Sequence, residues 1–111
     1  MMKADARYRI VLVTCASIAE ARKIAEHVVE QKLAACANIV PGVESIYRWK
    51  GSVESAKEFL LLIKTSRKRF SAVSTLVKKL HSYEVPEIIA LNIADGSREY
   101  LDWITSNVRA K

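Results

Sequence analysis

The sequence predicts one α+β domain in which helices cover an antiparallel sheet of four strands. Two apolar, β-branched segments near the ends of the chain have the length of strands, and a long hairpin pattern lies between them. Two stretches with apolar residues at helical spacing connect these strands. The chain has 111 residues, of which 50% are hydrophobic and 27% are charged. This balance fills one core and excludes a disordered chain.

The first strand and the first helix follow each other closely. Tyr8–Cys15 is nearly continuous in apolar and β-branched residues, which predicts a strand buried on both faces. Ser17 and Glu20 have the spacing of a capping box, so they predict the start of a helix that continues to about Lys32. The apolar stripe of this helix consists of Ala21, Ile24, Ala25 and Val28.

The second and third strands are predicted to form a long hairpin. Residues 35–49 and 52–65 are the two strands, and Lys50-Gly51 is the tight turn between them. Pro41-Gly42 interrupts the first of these strands, which predicts a bulge, because proline removes a hydrogen-bond donor and glycine tolerates the local bend.

The end of this hairpin predicts contact with another chain. If the turn holds two residues, Glu44 lies opposite Lys57 as an ion pair across the strands. Tyr47, Trp49 and Val53 then lie beyond the part of the ribbon that a domain of this size covers. Exposed strand edges that carry aromatic residues tend to pair with a neighbour, so we expect self-association.

The second half of the chain predicts a helix, a strand and a terminal helix. Residues 67–81 form the helix and residues 87–93 the strand. The terminal helix presents Leu101, Ile104 and Val108 on one side. The order strand, helix, strand, strand, helix, strand is the split βαβ pattern of ferredoxin-like α+β sandwiches.

This topology brings several reactive side chains to one end of the sheet. Cys15 is expected at the opposite end from Cys36, too far away for a disulfide within one subunit. His81, Tyr83 and Glu84 are expected at the same end as Cys15. A thiolate, an imidazole and a carboxylate suit copper or zinc better than magnesium or calcium, so His81, Cys15 and Glu84 are candidate metal ligands.

Each of these residues also has a purely structural interpretation. The structural interpretation of Cys15 is a small buried hydrophobic residue at the end of a strand. His81 fits a residue at a helix C-terminus, where its positive form interacts favourably with the helix dipole. For Glu84 and Glu87 the structural interpretation is a pair of solvated carboxylates on the surface.

The basic residues are concentrated in one segment. The formal net charge is +6, and six basic residues and no acidic ones lie between Phe59 and Tyr83. Such a field attracts anionic ligands, although a solvated helix face gives the same pattern. The third strand includes residues 57–63, an apolar core segment without the aromatic and glycine pattern of an RNA-recognition domain. This argues against nucleic-acid binding.

Several function classes are excluded by composition. The three glycines are too few and too far apart for a Gly-rich phosphate loop. The sequence contains no run of about 18 apolar residues, so a membrane-spanning helix is not expected. Cys15 with His81 is the one nucleophile–base pair available, so an enzyme is not expected. The absence of a secretory signal and the two cysteines expected to remain unpaired predict a cytoplasmic protein.

Five ordered segments carry a resemblance to a known family. They are residues 33–42 (LAACANIVPG), 45–51 (SIYRWKG), 61–65 (LLIKT), 81–88 (HSYEVPEI) and 100–103 (YLDW). With these segments the chain resembles the CutA family, the divalent-cation tolerance proteins, from about Tyr8 to Val108.

The resemblance implies a ferredoxin-like fold assembled as a compact homotrimer, similar to the trimers of PII signalling proteins. It also implies a link to heavy-metal tolerance and copper binding. The copper ligands assigned in enterobacterial members are a cysteine just before the threonine of the first strand and two adjacent histidines. The corresponding positions here are Val13, Leu80 and His81, so His81 alone matches, and Cys15 lies two positions after Val13.

The sequence therefore predicts a cytoplasmic, non-catalytic homotrimer that binds a divalent transition metal such as Cu(II) through His81, Cys15 and Glu84. Neither an organic cofactor nor a membrane is expected as a partner. The cleft between subunits is expected to be lined by Tyr47, Arg48, Trp49, Lys64, Tyr83 and Glu87. The alternative is a PII-like signalling or scaffold trimer whose cleft binds a small anionic ligand near Lys64 or Arg48.

Overall fold

One four-stranded sheet and three helices make up the computed structural model, which describes residues 7–110. In chain order the elements are β1 (Tyr8–Cys15), α1 (Ile18–Glu30), β2 (Cys36–Trp49), β3 (Ser52–Ser66), a 3-10 turn (Arg67–Arg69), α2 (Phe70–Leu80), β4 (Ile89–Asn92) and α3 (Arg98–Asn107). The sheet order is β2-β3-β1-β4, and every neighbouring pair is antiparallel. The predicted split βαβ arrangement is thereby confirmed.

The ends of the chain are described only in part. The flexible N-terminus predicted for residues 1–7 falls outside the described residues except at Arg7. The Arg7 carbonyl accepts a hydrogen bond from the Arg67 backbone N–H at 2.8 Å. Within residues 7–110, no helix is both long enough and apolar enough to cross a membrane.

The first helix begins where its capping residues predict and ends slightly earlier than expected. The Ser17 hydroxyl accepts the backbone N–H of Glu20 at 3.1 Å, which satisfies one free donor of the first turn. The helix ends at Glu30 because Lys32 adopts a positive φ of 59°. The backbone N–H groups of the next two residues then donate back to the Val28 carbonyl, which closes the helix.

The long hairpin has the predicted register. Lys50 and Gly51 form the turn with φ values of 51° and 84°, the left-handed conformation that matches the twist of a two-residue hairpin. Glu44 consequently lies opposite Lys57. The predicted bulge is also confirmed, since the register shifts between Val40 and Val43.

The fourth strand is shorter than predicted. The sequence predicts a strand over residues 87–93, whereas β4 (Ile89–Asn92) pairs with β1 over four residues, from Arg9 to Leu12. Beyond that pairing, the Thr14 carbonyl of β1 accepts a hydrogen bond from the His81 side chain. The chain before β4 is thus used to build a loop against the end of β1. The second predicted helix likewise begins as the 3-10 turn before it becomes α2.

The two faces of the sheet differ in what covers them. One face of β1 and β3 packs against α1 and α2, and its fully buried apolar members are Val11, Val13, Cys15, Leu61 and Ile63. On the opposite face Ile10, Leu12, Leu60 and Leu62 are half-buried and lie outside that core. At the Tyr8 end, α3 closes a second small cluster through a 2.6 Å hydrogen bond between the Tyr8 hydroxyl and Thr105 Oγ1.

Two neighbouring valines of α1 test this burial pattern. Val28→Ala should lower the free energy of unfolding by about 2 kcal/mol, because it removes fully buried methyl groups. Val29→Ala removes the same atoms from an exposed position and introduces a better helix former, so the change should stay within about 0.5 kcal/mol. Urea denaturation at equal protein concentration measures both. Equal losses for the two variants would contradict the assigned core face.

Candidate functional site

A thiol, a carboxylate and an imidazole meet at the point where β1 ends and α1 begins. The ligand atoms of Cys15, Glu20 and His81 all lie within 4.8 Å of one another. Within residues 7–110, this is the one group of three metal-ligating side chains that lies so close together. We refer to these three residues as the helix-end cluster.

His81 is the most constrained member of the helix-end cluster. Its side chain is fully buried. Nε2 lies 2.7 Å from the Thr14 carbonyl oxygen, which only accepts, so Nε2 carries the proton and donates it. Nδ1 accepts the Tyr83 backbone N–H at 3.0 Å. The imidazole is therefore neutral in this arrangement, and it connects the end of β1 to the loop that follows α2.

Glu20 contributes the carboxylate of the cluster, although the sequence predicts it as a capping residue at the start of α1. Its Oε2 accepts the backbone N–H of Ser82 at 2.7 Å, so the side chain holds the loop after α2. Its Oε1 lies 3.9 Å from His81 Nδ1 and is buried with no hydrogen-bond partner. The capping-box spacing signalled the helix start correctly, but it gave no sign that this carboxylate faces the end of β1.

Cys15 supplies a buried thiol. Burial raises the pKa of Cys15 to about 12, and the nearby carboxylates of Glu20 and Glu58 add to that effect. The thiol is consequently protonated and unreactive at neutral pH. Cys36 is also unpaired, as the predicted separation of the two cysteines requires.

A large cavity lies beside the helix-end cluster. Its volume is about 700 Å³. The aromatic residues that line it are Tyr47, Trp49 and Tyr83, and the acidic residues are Glu58, Glu84 and Glu87. Among the described residues that line this cavity, none is a lysine or an arginine. We refer to it as the acidic cavity.

Tyr83 and Glu58 form a hydrogen-bonded pair in the wall of the acidic cavity. The Tyr83 hydroxyl donates to Glu58 Oε2 at 2.7 Å. Glu58 is only 7% exposed, although it is a charged residue type. Burial raises the pKa of Tyr83, and the hydrogen bond and charge of Glu58 raise it further. Tyr83 thus remains a protonated donor at neutral pH.

The structure brings together some of the residues predicted for the sites and separates others. Cys15 and His81 meet, whereas Glu84 lines the acidic cavity and lies outside the helix-end cluster. Its assignment as a metal ligand stays a prediction.

The residues predicted for the cleft between subunits fall into two groups: the aromatic and acidic residues line the acidic cavity, and the two basic residues do not. Tyr47, Trp49, Tyr83 and Glu87 line the acidic cavity, together with Glu84. Arg48 lies within 3.4 Å of the Gly51 carbonyl, and Lys64 donates to the Tyr100 hydroxyl at 3.1 Å. Both basic residues are therefore directed elsewhere, and the assignment of these six residues to a cleft between subunits stays a prediction.

The sheet order, the crossing helices and the long hairpin define this chain as a ferredoxin-like α+β protein. Residues 9–107 match the family model of the CutA1 divalent ion tolerance protein. The chain belongs to that family, which confirms the resemblance predicted from its five ordered sequence segments.

Several relatives support this assignment. The divalent-cation tolerance protein CutA of Thermus thermophilus is 55% identical over 98 residues, which cover 88% of this chain and 95% of that protein. The crystal structure of CutA1 from Oryza sativa superimposes with a TM-score of 0.92 at 41% identity and covers 95% of this chain and 96% of that one. The chloroplastic CutA of Arabidopsis thaliana is 45% identical over 90% of this chain, which spans 55% of the plant protein.

The buried thiol predicts how stability depends on pH. In the unfolded chain Cys15 ionises near its ordinary pKa of 9.0, whereas the folded protein retains the proton up to a pKa of about 12. The free energy of unfolding should therefore fall as the pH rises above 9, by up to about 1.4 kcal/mol per pH unit. Urea denaturation at pH 8, 9 and 10 measures this slope.

The two cysteines provide the matched comparison for this experiment. Cys15→Ala should make the decline shallower than in wild type, because it removes one group whose pKa is raised in the folded protein; Tyr83 is a second such group and remains in the variant. Cys36→Ala should leave the slope as it is in wild type. A Cys15→Ala slope identical to wild type would contradict the burial of this thiol.

Proposed function

We propose that this protein binds a divalent transition metal such as Cu(II) in the cellular response to heavy metals, as a non-catalytic homotrimer in the cytoplasm. Its membership of a divalent-cation tolerance family supports a role connected with metal ions. The observation that carries the metal-binding proposal is the convergence of Cys15, Glu20 and His81 within 4.8 Å.

The donor atoms of the helix-end cluster fit a transition metal. A thiolate sulfur and an imidazole nitrogen favour copper or zinc over magnesium or calcium, and a carboxylate is a suitable additional ligand. Glu20 Oε1 is a buried polar atom without a hydrogen-bond partner, which is an unfavourable state that a bound cation would relieve. In this proposal Glu20 takes the ligand position that was predicted for Glu84.

The hydrogen bonds of His81 also suit a ligand role. Metal-binding histidines usually donate their second ring N–H to a carbonyl or carboxylate, which fixes the tautomer and the ring orientation. The Nε2–H bond to the Thr14 carbonyl fulfils this condition and leaves the lone pair on Nδ1. A metal at Nδ1 would replace the hydrogen bond from the Tyr83 N–H, so metal binding and the closed loop after α2 compete.

Binding should be coupled to proton release. Cys15 must lose its proton to become a ligand, and burial opposes that loss. The affinity for the metal should therefore increase with pH. When bound, the metal would supply the positive charge that compensates the thiolate and the carboxylate inside the protein.

Uncovered apolar surface supports an assembly of several copies. Helices α1 and α2 cover one face of β1 and β3, while the opposite face carries half-buried aliphatic residues. In the hairpin, Ile46 is 72% exposed and Val53 is 67% exposed. Ile89 and Leu91 of the edge strand β4 are also exposed. Such surfaces usually pack against another chain. The number of three copies is proposed from the resemblance to PII-like trimers.

The alternative of an anion-binding scaffold receives less support from the charges. Three carboxylates line the acidic cavity, and Arg48 and Lys64 do not contribute to its described lining. An anionic ligand would meet repulsion there.

Metal binding can be tested with the two histidines of the chain. Titration with Co(II), monitored by the thiolate-to-metal absorption in the near ultraviolet, should saturate in wild type and in His27→Ala. His81→Ala and Cys15→Ala should each weaken binding by at least about tenfold, because each removes a ligand. His27 is the control, since its Nδ1 is engaged with the Lys23 carbonyl on the surface of α1.

Loss of folding must be separated from loss of binding in this experiment. Circular dichroism and urea denaturation of each variant provide that check, and Cys15→Ala retains both hydrogen bonds of His81. Unchanged absorption in Cys15→Ala, or equal losses in the two histidine variants, would rule out the helix-end cluster as the binding site.

The assembly can be tested by native mass spectrometry. Wild type should give a mass three times that of the 12.5 kDa chain. The double variant Ile46→Asp/Val53→Asp should dissociate to monomers, because it places charges on one face of the hairpin where apolar residues are exposed. Val29→Asp, an exposed position on α1, should leave the trimer intact. A monomeric wild type would overturn the proposed assembly.

A further inference from the structure

We propose that the acidic cavity binds a linear organic polycation, a diamine or polyamine whose ammonium groups are separated by methylene chains. This inference does not require a bound metal, because the carboxylates and aromatic rings that would contact the ligand lie outside the helix-end cluster. The family relationship does not supply it, and the anionic ligand of the alternative function was predicted near Lys64 or Arg48, which do not line this cavity.

The charge of the cavity is the first argument. Glu58, Glu84 and Glu87 line it, and its described lining holds no basic residue to neutralise them. This is the reverse of the chain as a whole, whose formal net charge is +6. A concave site of one sign in a protein of the opposite sign attracts a cationic ligand to that position.

The separation of these carboxylates distinguishes an organic cation from a metal ion. Within residues 7–110, Cys15, Glu20 and His81 are the one group of three ligating side chains that lies so close together, and the three cavity carboxylates do not form a second such group. A single metal ion requires ligand oxygens that surround it at about 2.0–2.6 Å. Positive charges distributed along a flexible chain can instead pair with carboxylates that stand apart.

The aromatic residues provide the second component of such a site. Tyr47, Trp49 and Tyr83 line the same cavity as the carboxylates. Aromatic faces attract ammonium groups and also pack against methylene groups. Trp49 already interacts with a cation of this type, since Lys50 Nζ lies 5.8 Å from the centre of its ring. A polyamine presents the same ammonium and methylene chemistry as a lysine side chain.

The third argument is the presence of a fixed, buried anion in the cavity wall. Glu58 is 7% exposed and is oriented by the Tyr83 hydroxyl at 2.7 Å. Glu84 and Glu87 are exposed, so the cavity combines one buried carboxylate with two that are accessible to a ligand from solvent. The volume of about 700 Å³ lies within the range of small-molecule sites and accommodates a chain of this kind.

The test is a fluorescence titration with spermidine. The chain has two tryptophans, Trp49 and Trp103, so a Trp103→Phe background makes Trp49 the reporter. Spermidine should change the Trp49 emission with saturation. The double variant Glu84→Gln/Glu87→Gln should weaken binding by at least about tenfold, because it removes two ion pairs and keeps the side-chain shape. Both positions are exposed, so the variant is expected to fold.

Matched controls make the outcome decisive. Glu26→Gln/Glu99→Gln removes two exposed carboxylates from α1 and α3 and should bind spermidine like wild type. Cys15→Ala should also bind spermidine like wild type, which separates this proposal from the metal site. The inference is overturned by absence of saturation, by equal binding in the Glu84→Gln/Glu87→Gln variant, or by magnesium chloride or inorganic phosphate producing the same response at equal concentration.

Discussion

The buried imidazole of His81 holds together the end of the molecule on which both proposed sites depend. It donates to the Thr14 carbonyl and accepts the Tyr83 N–H, so one side chain joins β1 to the loop between α2 and β4. Glu20 reinforces the same loop from α1 through the Ser82 N–H. A buried hydrogen bond contributes about 0.5–1.5 kcal/mol, and leaving its partner unsatisfied costs more. The loop is therefore fixed by side chains rather than by strand pairing.

This loop is the common wall between two chemically different environments. On one side lie the thiol, the imidazole and a carboxylate oxygen without a partner. On the other side Tyr83 extends into the acidic cavity and donates to Glu58. Because the Tyr83 N–H is bonded to His81 and its hydroxyl to Glu58, a change at Nδ1 of His81 is transmitted directly to the cavity wall. The two proposed ligands would thus act on the same short segment.

The long hairpin has a different physical basis. Its strands extend beyond the two helices that cover the sheet, which leaves aliphatic and aromatic side chains exposed on the ribbon and on β4. A single copy of the chain does not bury this surface. The same hairpin supplies Tyr47 and Trp49 to the acidic cavity, so association of copies and ligand binding would involve one element.

Features that depend only on neighbouring residues could be predicted directly from the sequence. The nearly continuous run of apolar and β-branched residues specified β1, the capping serine specified the start of α1, and Lys50-Gly51 specified a two-residue turn. That turn fixed the register, which placed Glu44 opposite Lys57. Local periodicity and backbone conformation are encoded within a few residues, which is why these predictions were confirmed.

Which side chains converge depends on how the elements pack together. Cys15 and His81 could be brought to one end by topology, but the carboxylate beside them is Glu20 and not Glu84, because the loop after α2 folds back over the first turn of α1. The acidic lining of the cavity could not be predicted either, because Arg48 stands between Tyr47 and Trp49 in the sequence and yet, like Lys64, is directed elsewhere. Convergence depends on the path of a loop and on the face to which each side chain points, and neither is encoded in spacing along the chain.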